Sequence, residues 1–178
     1  CFKEVEGKTS AEADMFRSMA GDLIQYVEKD SNMEPALLLG NLAVVSQINK
    51  RLSEPVIAPQ IPLESMVSGE AGLSDSLCFF ESEPLTKAIL SYIREVMPDK
   101  WQEIWVGVMP GCPKGVCEWV AKGLSETGND AYLKTAAAAI LNGEEKHSSA
   151  LVWLWGAGSG DRVAIAIRLI LLFERLPR

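Results

Sequence analysis

The chain has 178 residues, 48% hydrophobic and 23% charged, with a formal net charge of −7. That length supports one domain whose core buries roughly 70% of the surface exposed by the unfolded chain, with no need of disulfides or metal. An acidic field repels phosphate backbones, which removes nucleic acid from the first-choice partners, and Lys50–Arg51 is too small to form a basic patch against it.

The first residue is Cys1, not Met, and no signal-peptide pattern follows it. The sequence therefore reads as a processed product or an excised fragment, with the cytoplasm as the favoured compartment. Mature bacterial lipoproteins also begin with cysteine, so a second reading is a lipid-anchored accessory protein with acylated Cys1 on an extracytoplasmic membrane surface. Thr9, Ser10, Ala11 and Glu12 form a capping-box pattern. Met15, Met19, Leu23, Tyr26 and Val27 then recur every three or four residues, which predicts a helix over 10–29 with that stripe buried. Ser31 and Asn32 break the pattern. Pro35 suits a first helical turn, where no amide donor is required. Leu38, Leu42, Val45, Ile48 and Leu52 predict a second helix over 35–52, antiparallel to the first because the link is short.

Residues 54–76 change character, with Pro55, Pro59 and Pro62 followed by Gly69 and Gly72. This is a long connection, with one helical turn expected near 62–68, and it is read as a crossover or a linker between subdomains rather than a functional loop. It divides the chain into an N-terminal helical hairpin (1–53), a Pro/Gly-rich connection (54–81) and a C-terminal helical subdomain (82–178), within one globular unit.

Ser82, Glu83 and Pro84 are a helix start, followed by Leu85, Ala88, Ile89, Tyr92, Ile93 and Val96 at helical spacing. Pro98 ends that helix. Asp99 is expected to cap a shorter one with Trp101, Ile104, Trp105 and Val108 on one face. Pro113 opens the next, which carries Val116, Trp119, Val120 and Leu124 and closes at Gly128. Asn129 or Asp130 starts another, through the alanine run 136–139 to Asn142 and Gly143. Four consecutive alanines imply close helix packing.

The stretch LVWLWGAGSGDRVAIAI, 151–167, admits three readings. Its letters VWLWGAGSGD resemble the glycine-rich first motif of S-adenosylmethionine-dependent methyltransferases, with Gly156, Gly158 and Gly160 in matching spacing. That resemblance implies a strand, a cofactor loop over Gly156–Gly160 and a helix, hence a ligand-binding enzyme. Two features depart from it: Leu154 stands where the family has an acid, and only 18 residues follow Gly160, too few for the remaining parallel strands. As a dinucleotide fingerprint the loop fails, since Asp161 occupies the third glycine's place. A β-hairpin is the second reading, because Val163, Ile165, Ile167, Leu169 and Leu171 alternate; two strands alone are not stable. The third is favoured: helix, glycine turn, then a helix capped by Asp161. That last helix is apolar nearly all round, as expected at the centre of a core or at an oligomer interface.

His147 is the single histidine. In the polar run EEKHSS it reads as a surface residue near a cap, with no triad around it. Cys112 and Cys117 lack C-x-x-C spacing and read as buried structural thiols; no metal site or cofactor is expected. No run reaches the roughly 20 apolar residues of a membrane span: 35–49 is interrupted by Asn41, Ser46, Gln47 and Asn49, and 163–173 contains Arg168.

The expectation is an all-α compact bundle of about eight to nine short-to-medium helices packed as antiparallel hairpins. Its function is read as a non-enzymatic protein-interaction module, an adaptor or assembly domain. It would bind a protein partner or a second copy of itself through an apolar face carrying Trp101, Trp105 and Trp119.

Overall fold

The computed structural model describes residues 10–30, 33–58, 73, 82–143, 145–155 and 162–174. The Gly156–Gly160 loop, Cys1 and the expected turn near 62–68 lie outside these residues. Eight α-helices occur among the described residues, in chain order: α1 (Ser10–Lys29), α2 (Pro35–Asn49), α3 (Glu83–Val96), α4 (Trp101–Val108), α5 (Lys114–Ser125), α6 (Asp130–Asn142), α7 (Leu151–Leu154) and α8 (Arg162–Glu174). Two 3-10 turns, Met109–Gly111 and Glu145–Ala150, complete the set. There is no strand among the described residues. The chain on both sides of the glycine loop is helical, so the strand and hairpin readings of 149–176 do not hold. None of the described helices is long and apolar enough to cross a membrane.

Local chemistry explains most helix boundaries. Pro35 and Pro84 sit in the first turns of α2 and α3, where a missing amide donor costs nothing. The Ser82 hydroxyl accepts from the Leu85 amide at 3.5 Å, so it caps α3. Gly128, at φ +66°, is the only described residue with positive φ and ends the turn after α5. Asp99 does not cap α4: Lys100 holds that position, and Asp99 lies in the turn before it.

The first two helices form the expected antiparallel hairpin. Ala20 and Ile24 pack with Val45 and Ile48, while Val27 packs with Leu38 and Leu42. The buried face of α1 is rotated from the one its periodicity suggested. Phe16, Ala20, Leu23, Ile24 and Val27 face α2, whereas Met15, Met19 and Tyr26 are exposed. Both stripes have helical spacing, and packing against α2 selects one of them.

Helix α2 is buried on two sides. Its second side, Ala36, Leu39 and Ala43, enters the main core with α3. At Gly40 an added Cβ would lie 3.8 Å from Ile89 and 3.9 Å from Leu85, ordinary packing distances that place α3 directly against this part of α2. Gly40 beside 85–89 and Lys50 beside Glu95 show that α2 and α3 run in the same direction. A parallel pair cannot be joined by a short turn, which accounts for the long connection over 50–82. Leu73 from that connection is buried in the main core. The rest of the core is made by α3–α8, with Ile89, Trp105, Val116, Leu124, Leu133, Leu151 and Ile165 inside it. Ala136 and Ala137, from the alanine run, are buried in the same core.

Candidate functional site

The three tryptophans singled out in the sequence do come together. Trp101 and Trp105 meet edge to face with ring centroids 4.7 Å apart, and Trp105 and Trp119 are 4.8 Å apart. They meet inside the molecule and do not form an open face. Trp105 is 1% exposed, and its indole N–H donates to the Leu90 carbonyl at 3.1 Å. Trp101 is also buried, while Trp119 packs half-buried against the core. The Arg94 guanidinium covers the outer side of the cluster, 4.6 Å from the Trp101 ring and 5.9 Å from Trp105. Gly123 on α5 touches the same cluster: a Cβ there would come within 2.8 Å of Trp105 Cζ3. The shared face at positions 101 and 105 was legible from spacing. Its direction is set by α3 and α5, which lie on either side of it.

His147 departs from expectation more sharply. It is 1% exposed, and its Nε2 lies 2.8 Å from the Cys112 carbonyl oxygen. A carbonyl only accepts, so Nε2 carries the proton and donates. The polar letters around His147 belong to a 3-10 turn wedged against α5, α6 and the turn after α4. That turn is pinned at three points. His147 holds the segment before α5, the Ser149 hydroxyl bonds Glu118 on α5, and Arg168 of α8 donates to the Ser148 hydroxyl at 3.5 Å. Arg168 Nη2 also donates to the Leu141 carbonyl at 2.8 Å, at the C-terminal end of α6, where a cation complements the helix dipole. Cys112 and Cys117 are buried, as their sequence context suggested. Burial, together with the nearby Glu118 charge, pushes the Cys117 thiol up to about 12, far from the range of a neutral-pH nucleophile.

What this polar turn holds in place is the last helix pair. Leu151, Leu154 and Ile165 point into the core. On the outside, Val152, Trp153 (43% exposed) and Trp155 (42%) stand in and just after α7, and Ile167 (55%), Ile170 (56%) and Leu171 stand on α8. The Lys122 ammonium, 5.2 Å from the Trp153 ring centroid, borders this face. The exposed tryptophans among the described residues are thus Trp153 and Trp155, not the three singled out in the sequence. The signal for this outward face was the nearly all-round hydrophobicity of 163–173, since one packed side cannot use every apolar position of such a helix. Among the described residues no group of three His, Cys, Asp or Glu side chains is placed to hold a metal ion. No protein-family model, curated protein or solved structure matches the chain.

Proposed function

We propose that the chain is a non-enzymatic interaction module, an adaptor or assembly domain, that captures an apolar segment of a protein partner on the outer face of α7 and α8. The observation that carries this reading is the exposure of six large apolar side chains in and just after α7 and on α8, two helices that touch each other: Val152, Trp153, Trp155, Ile167, Ile170 and Leu171. Extended apolar surface of this kind is uncommon on a monomer unless something covers it, and tryptophan is among the commonest energetic anchors at protein interfaces. The face is also held rigidly. Arg168, Ser148, Ser149 and His147 fix the helix pair to α5 and α6 without using the outward side chains, so little ordering cost remains to be met on binding. The single histidine and the buried thiols are engaged in packing and backbone bonds, in keeping with a role other than catalysis.

The test compares wild type with Ile170→Asp and Trp153→Ser. Both positions are solvent-facing, so the melting temperature should stay within about 2 °C of wild type. Sedimentation velocity and quantitative co-purification should then show at least a tenfold loss of association, whether with another protein or with a second copy. Unchanged association in both folded variants would remove the reading.

A further inference from the structure

Helix α1 carries an apolar face of its own, and its chemistry complements that of α7–α8. Glu12, Met15, Met19, Asp22 and Tyr26 recur at alternating intervals of three and four residues, the spacing of a seam that lies along another helix. All five are exposed, Met15 at 52% and Tyr26 at 48%. The opposite side of α1 is the one that packs on α2, through Ala20, Ile24 and Val27. Thioethers bend to fit irregular surfaces, so two methionines suit this seam to bulky apolar side chains.

The two faces differ in charge. On the α1 seam, Glu12 and Asp22 form no ion pair with another described residue. Arg17, on the same helix, is turned onto Asp14 and Glu54, and Lys29 donates to Gln25 at 3.1 Å. On the α7–α8 face the bordering charge is Lys122. It is exposed, lies over the Trp153 ring and pairs with no carboxylate among the described residues. Ile167, Ile170 and Leu171 stand three and four residues apart, as a ridge along one side of α8. Each face therefore offers helical apolar spacing and an unpaired charge of opposite sign. Like faces fit less well. Two α1 seams laid together would bring two Asp22 carboxylates into one apolar interface, and two α7–α8 faces would leave Lys122 without a counter-charge.

We propose that the segment captured on the α7–α8 face is the α1 seam of a second copy of this chain, with Met15, Met19 and Tyr26 against Trp153, Ile167 and Ile170, and Asp22 towards Lys122. Unlike faces that join in this way build rings or open chains. The inference rests on the reading of α7–α8 as a docking face and names what docks there.

Sedimentation velocity over a dilution series of the full chain tests it. Wild type should self-associate with rising concentration. Met19→Asp and Ile170→Asp, both at exposed positions, should keep the wild-type melting temperature and each lose at least tenfold in self-association. Mixed in equal amounts they should form a dimer and nothing larger, because the first keeps an intact α7–α8 face and the second an intact seam. Asp22→Lys and Lys122→Asp should each weaken association about fivefold, and the two changes in one chain should associate more tightly than either alone. Wild type that is monomeric throughout, Met19→Asp that assembles as wild type does, a mixture that stays monomeric, or a charge-swapped double variant no tighter than its parents would each overturn the assignment. Monomeric wild type whose capture of a different protein is lost in Ile170→Asp would overturn it and leave the docking reading standing; Ile170→Asp that associates as wild type does would overturn both.

Discussion

Trp105 shows how much one side chain can do in this molecule. It contacts two other tryptophans, donates to the Leu90 carbonyl and lies against Gly123, and it does all this in the core. Trp105→Ala should therefore cost about 3–5 kcal/mol of stability, the usual range for deleting a buried aromatic. Chemical denaturation would read this as a large fall in midpoint at an unchanged slope; a loss under 1 kcal/mol would mean the indole is dispensable to the core. Cys117 supplies a second prediction at this scale. Folding holds its thiol neutral up to about 12, against an ordinary value of 9.0. The unfolded chain therefore releases that proton first as pH rises. Stability from this group is complete below pH 9.0 and declines between 9.0 and about 12. The half-buried phenol of Tyr92, raised by desolvation and the Glu95 charge, works in the same direction. Cys117→Ala should flatten the alkaline arm of a stability-versus-pH curve, and native Cys117 should resist thiol reagents at pH 8 until the chain is unfolded.

At the scale of elements, the deciding feature is the short polar turn before α7. Residues 145–150 contribute little apolar area, yet they fasten the last two helices to the body through His147, Ser148 and Ser149. Arg168 joins this turn to the C-terminal end of α6. Removing it leaves the Leu141 carbonyl and Ser148 without their charged donor. Arg168→Ala should cost about 1–3 kcal/mol. It should also raise amide exchange in 162–174 more than in the α1–α2 hairpin. Uniform exchange in all helices would show that α8 is held by its apolar contacts alone. Helix positions and ends along most of the chain were readable from proline, cap residues and glycine. The inward face of α1 was not, because Met15, Met19 and Tyr26 recur with the same spacing as the residues that pack. The burial of His147 was not readable either, since a polar run carries no mark of the helices that close over it.

Across the whole molecule, α2 is the link. One side packs on α1 and the other enters the core made with α3, so the hairpin and the C-terminal helices share buried surface. Surface shared in this way couples unfolding. Calorimetry should show a single transition with equal calorimetric and van't Hoff enthalpies; two resolved transitions would mean that the hairpin is an independent unit. Hydrophobic periodicity and helix punctuation are local properties, and they were enough by themselves to give the all-α fold class and most helix boundaries among the described residues. Which apolar stripe is buried, that Trp101 and Trp105 face inward while Trp153 and Trp155 face out, and that α2 and α3 lie parallel are decided by the tertiary structure. An amphipathic pattern specifies that a helix has a side to bury, but the partner that covers that side comes from distant parts of the chain.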